Sequence, residues 1–118
     1  MNCLDICLRI FIVFYAFYIS LIYKYKKSDF IMNLSVILPA YNEEENIKEI
    51  YDKIKKSFEN LKKLDYEIIF VNDGSTDNTK EELMKIKDRK VRVINLDNRK
   101  KKSFALFTGI KNAKNNII

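Results

Sequence analysis

From Met32 onward, short apolar runs alternate with stretches whose apolar residues recur at helical spacing, and this alternation restricts the fold more than any other feature of the chain. Residues 34–38 (LSVIL) read as a buried strand that Pro39 ends. Asn42 then offers a helix cap, with Glu45 three positions on as its partner and Glu43 and Glu44 in the first turn. Ile47, Ile50, Tyr51, Ile54, Phe58 and Leu61 follow at the spacing of one helix face. Residues 66–71 (YEIIFV) predict a second strand, and Asn72-Asp73-Gly74-Ser75 a turn. A second helix starts near Asp77 or Asn78 and directs Leu83, Met84 and Ile86 inward. Residues 91–95 (VRVIN) predict a third strand. Residues 103 to about 114 predict a third helix with Phe104, Leu106, Phe107 and Ile110 apolar, and residues 116–118 open a fourth strand. Strands that alternate with helices imply right-handed crossovers and a parallel α/β sheet.

The first 31 residues stand apart. Residues 6–23 are apolar except for Arg9 and Ser20, and Lys24, Lys26 and Lys27 follow at once. A helix of this length reaches about 27 Å, just short of a ~30 Å hydrocarbon core. Three readings are open: a single membrane anchor whose C-terminal side the lysines hold in the cytoplasm, a helix lying on the membrane surface, or upstream residues added by a start-site error before a domain that begins at Met32. The chain thus divides into a hydrophobic leader, 1–31, and a partial domain, 32–118.

Composition excludes several chemistries. The chain has no histidine, and its two cysteines, Cys3 and Cys7, lie in the leader, so neither a histidine base nor a four-ligand zinc site is available. The formal charge is +6, with +2 in residues 1–31 and +4 in residues 32–118. That mild excess fits a phosphate-bearing ligand, an anionic surface or an ordinary solvated face. Nucleic acid is not expected, because no aromatic stacking platform is interleaved with the basic cluster at 99–102.

In parallel α/β sheets ligands bind where the strands end. Three segments therefore converge at one sheet edge: Pro39-Ala40-Tyr41-Asn42-Glu43, Asn72-Asp73-Gly74-Ser75, and Asp97-Asn98-Arg99 with Lys100, Lys101 and Lys102. A nucleotide needs carboxylate and hydrogen-bonding partners for its base and ribose, and cations or backbone N–H groups for its diphosphate. Each segment also has a plainer reading, as a strand stop, a helix cap, a turn or a solvated loop.

With these segments in place the chain resembles the family 2 glycosyltransferases, and within them the branch like dolichyl-phosphate mannose synthase. The resemblance rests on LSVILPAYNEEENI (34–47), YEIIFVNDGSTDNT (66–79) and NRKKKSFALFTGIKNAKNNII (98–118). It implies the N-terminal half of a GT-A, Rossmann-like fold and a nucleotide diphosphate sugar donor, UDP- or GDP-linked. Pro39, Ala40, Tyr41 and Glu43 would line the nucleoside pocket, Asp73 would contact base or ribose, and Arg99 or Lys102 would meet the phosphates. The chain departs from the family at Asn72, where the first of two acidic residues is usual, and at Lys101, where many relatives carry glycine. The family's Asp-x-Asp motif, which holds a divalent Mg or Mn ion, follows the fourth strand, and its catalytic base lies later still. No catalytic residue and no metal ligand is therefore expected within these residues. The full-length protein is expected to transfer a sugar to a lipid phosphate such as polyprenyl phosphate, or to a saccharide, at the cytoplasmic face of the membrane. The alternative is a truncated, inactive nucleotide-binding remnant.

Overall fold

The structure, a computed structural model, describes residues 13–21 and 31–118, which fall in two units, Met1–Phe30 and Ile31–Ile118. In the first unit residues 13–21 form a helix, α1. Among the described residues no helix is long and apolar enough to cross a membrane. Both ends of the apolar run at 6–23 lie outside the described residues, and so do Cys3 and Cys7.

The second unit runs β1 (Met32–Ala40), α2 (Ile47–Glu59), β2 (Leu64–Asn72), α3 (Thr79–Met84), β3 (Val91–Asn95) and α4 (Lys102–Asn112). The three strands form a parallel sheet in the order β1-β2-β3. The register runs from Met32 opposite Leu64 to Ala40 opposite Asn72, and from Ile68 opposite Val91 to Asn72 opposite Asn95. Beyond β3 the chain returns to the free edge of β1, where Ile117 bridges Leu34 in parallel and accepts the Ser35 N–H at 2.8 Å. The sheet thus grows outward from β1 in one direction and then in the other. That reversal is the switch point beside which ligands bind in open α/β sheets.

β2 is central, and its run Ile68, Ile69, Phe70 and Val71 is wholly buried because both faces are covered. Alternation along the strand divides the core in two. Ile68 and Phe70 pack with Ile47 and Leu83 from α2 and α3, whereas Ile69 and Val71 pack with Ala105 from α4 and with Ile37 and Ile94.

Several sequence expectations need correction. β1 runs through Pro39 and does not stop there. The Ser35 N–H points away from β2 toward Ile117, and Pro39, four residues on, shares that side, so the missing N–H removes no bond to β2. Asn42 does not cap α2. It has φ 52°, and the N-cap is Asn46, without a side-chain cap bond, so that Glu49 is the acid in the first turn. Met84 is exposed, and Leu83 fills the core in α3. In α4, Ala105 and Gly109 face the sheet, while Phe104, Phe107 and Ile110 face outward. A Cβ on Gly109 would lie 2.2 Å from Ile37 Cγ2, so glycine is what lets this helix lie so close to β1. The expected opening of a fourth strand at residues 116–118 does hold, as the parallel bridge at Ile117.

One polar group interrupts the α4 side of the sheet. Glu67, buried in β2, accepts bonds from Ser35 Oγ at 2.7 Å, Arg92 Nη1 at 3.1 Å and the Lys114 N–H at 2.6 Å. Burial pushes its carboxyl up, but the bonds from Lys114, Ser35 and Arg92 outweigh that and hold it below its ordinary value of 4.5. Arg92 also donates to the Asn112 carbonyl at 2.8 Å, so the cluster clasps the end of α4 to the strands.

Candidate functional site

The loops after β1 and β2 are laced together at the carboxyl edge of the sheet. The Asn42 N–H donates to Ser75 Oγ at 3.1 Å, and Asn42 Oδ1 accepts the Thr76 N–H at 2.8 Å. The Glu43 N–H donates to Thr79 Oγ1 at 2.9 Å, and the Glu44 N–H to Asp77 Oδ2 at 3.3 Å. Glu44 Oε2 in turn accepts the Asn78 N–H at 2.9 Å. The side chains that sequence suggests as helix caps serve here as ties between loops. Burial raises the Asp77 carboxyl, yet the bonds from Thr79 and the Glu44 N–H prevail and hold it below its usual range.

The third loop closes on the second. Gly74 has φ 65°, and a Cβ there would meet Arg99 N and Asn98 C at 2.4 Å each, so only glycine admits the β3–α4 loop at this distance. Asp73 is buried and accepts the Lys100 N–H on Oδ1 at 2.6 Å. Asn72 donates to Asn95 Oδ1 at 3.0 Å and accepts the Ser75 N–H at 3.2 Å, a neutral amide doing locally what a carboxylate could not do as donor.

Pro39, Ala40, Tyr41, Glu43, Asp73, Arg99 and Lys102 together line one concave pocket of about 180 Å³. All seven residues singled out from the sequence therefore meet in space. Two carboxylates and two cations share this small volume. Glu43 is steadied by Asn46 Nδ2 at 2.7 Å. The Arg99 guanidinium lies over the Tyr41 ring with Cζ 4.1 Å from its centroid. Lys102 opens α4, whose N-cap makes no side-chain bond and whose first turn holds no acid, so its first N–H groups are available to an anion.

Sequence alone assigns no site role to the supporting groups Asn42, Ser75, Thr76, Asp77 and Thr79. The signal was the unbroken polar run from Asn72 to Thr79, longer than a tight turn requires. Among the described residues no three His, Cys, Asp or Glu side chains are grouped to hold a metal ion.

The model of the family described as glycosyl transferase family 2 matches residues 35–118. An uncharacterized glycosyltransferase of Synechocystis is 36% identical over 89 residues, which is 74% of this chain and 28% of that protein. A dolichol-phosphate mannosyltransferase of Pyrococcus furiosus is 37% identical over 87 residues, covering 73% of this chain and 24% of its own. Among solved structures, a mannosyltransferase from Pyrobaculum calidifontis in complex with GDP-Man and Mn2+ superposes with a TM-score of 0.56 at 28% identity, covering 69% of this chain and 24% of that one. The chain thus spans about a quarter of the length of these relatives.

Proposed function

The chain belongs to glycosyl transferase family 2, and from that premise we propose that residues 32–118 are the donor-binding part of a nucleotide-sugar-dependent glycosyltransferase. The observation that carries this reading is the convergence of seven residues from three successive strand ends on one pocket. The pocket has two chemical sides. Glu43 and Asp73 offer carboxylate acceptors to the N–H and hydroxyl groups of a nucleoside, and Tyr41 offers a flat ring. Arg99, Lys102 and the uncapped start of α4 offer cations and N–H groups to a diphosphate.

In the full-length protein the sugar would pass to a lipid phosphate, as the name of the Pyrococcus relative suggests, or to a saccharide. A divalent ion of the kind bound in the Pyrobaculum enzyme would be held by residues other than the described ones, among which no three His, Cys, Asp or Glu side chains are grouped. We read residues 6–23 as a membrane anchor, supported by their apolar character and by Lys24, Lys26 and Lys27 behind them. That orientation would put the donor pocket on the cytoplasmic side.

Calorimetric titration of the 118-residue chain with GDP and UDP tests the donor assignment. Asp73→Asn keeps an oxygen for the Lys100 N–H but removes the charge, so affinity should fall about tenfold or more with the fold intact. Unchanged affinity in that variant would reject the role given to Asp73.

A further inference from the structure

Residues 98–118 carry six lysine and arginine side chains and no aspartate or glutamate. The whole net charge of +6 is equalled by this one segment. Its central element is α4, and that helix is apolar on two faces. The inner face, Ala105 and Gly109, is buried against β1 and β2, whereas Phe104, Phe107 and Ile110 on the outer face are 46%, 58% and 47% exposed. Helical spacing places Phe107 directly opposite the buried pair, with Phe104, Ile110 and Lys111 beside it. Lys111 Nζ lies 5.6 Å from the Phe107 ring centroid, and Lys100, Lys101 and Lys114 are exposed at the two ends of the helix.

We propose that this outer face of α4 docks on an anionic lipid bilayer, with Phe104, Phe107 and Ile110 entering the headgroup boundary and the flanking lysines meeting lipid phosphates. An apolar stripe bordered by cations, with no acid in the segment, complements a surface that is apolar within and negative at its rim. A protein groove would have to bury or pair those lysines. Nucleic acid suits the stripe less well, since Ile110 has no ring to stack and the aromatics lie along a helix rather than in a charged groove. α4 is about 16 Å long at 1.5 Å per residue, and Lys102 at its start lines the pocket, so docking would bring that pocket beside the lipid surface. This contact is separate from any made by residues 6–23, and it stands on the α4 surface whether or not the pocket binds a nucleotide.

The chain has no tryptophan, so Phe107→Trp gives a single local reporter and Leu61→Trp, at an exposed position beyond the end of α2, a control. Each full chain is added to vesicles of phosphatidylcholine alone and to vesicles with equal parts phosphatidylglycerol, with brominated chains as quenchers. Emission at position 107 should shift to the blue and be quenched only with the anionic vesicles, while position 61 stays unquenched. Adding Lys111→Gln and Lys114→Gln should lower the ratio of docked to undocked face about twenty-five-fold, at roughly fivefold per lysine, whether or not residues 6–23 hold the chain on the vesicle. Four results would overturn the proposal: no response at position 107 to either vesicle, equal responses to both, a concentration-dependent blue shift in buffer that reports self-association, or a response to an oligonucleotide without one to lipid.

Discussion

Lys101 sits at φ 75° and ψ 161°, a region of backbone space that essentially only glycine enters freely. Its carbonyl accepts the Ala105 N–H at 3.1 Å, so the conformation is tied to the first turn of α4 and cannot relax without loosening that turn. Lys101→Gly should therefore stabilise the fold by about 1 kcal/mol, the relief of strain exceeding the entropy glycine loses on folding. Urea unfolding of the variant checks this, and a lower midpoint would contradict it. At this scale the pocket was legible because strand ends in a parallel sheet converge, which brought Tyr41, Asp73 and Arg99 to notice together. The role of Asn42 was not legible. A residue of its type before a helix reads as a cap, and only the folded loop shows its amide turned to Thr76.

Helix α4 illustrates what periodicity omits. Its apolar residues surround most of its circumference, so spacing alone cannot say which stripe meets the sheet. The packing is decided by the smallest residues, Ala105 and Gly109, because they permit the closest approach. Gly109→Ala should destabilise the protein by about 3 kcal/mol, since the new methyl meets the Cγ2 methyl of Ile37, and the gain in helix propensity is only ~1 kcal/mol. Thermal unfolding reads that difference. The clasp at the other end of the helix predicts an acid response. Glu67 is held below 4.5, so it contributes stability in full above about that pH, and the contribution is lost as pH falls through its lower folded value. Unfolding free energy should therefore drop more steeply below pH 4.5 in the wild type than in Glu67→Gln, and at neutral pH the variant should be weaker by about 2 kcal/mol. Parallel slopes for the two proteins would count against the clasp. Nothing local in residues 66–71 announces that Ser35, Arg92 and Lys114 will meet at Glu67.

For the whole of the second unit, element order and parallel pairing followed from alternation, while the edges of β1 and β2 moved by a residue or two as hydrogen bonding extended them, and the cap of α2 moved from Asn42 to Asn46. If three distant loops act as one nucleotide site, their amides must answer one ligand together. The direct measurement is a nuclear magnetic resonance titration of the isotope-labelled 118-residue chain with GDP and with UDP, following the amides of Tyr41, Gly74 and Lys100 and, as a remote reference, Lys114 at the Glu67 clasp. With at least one nucleotide the three loop amides should move together along a single saturating curve while Lys114 stays still. Loop amides that do not move with either nucleotide, or that move with unrelated affinities, would contradict a single site.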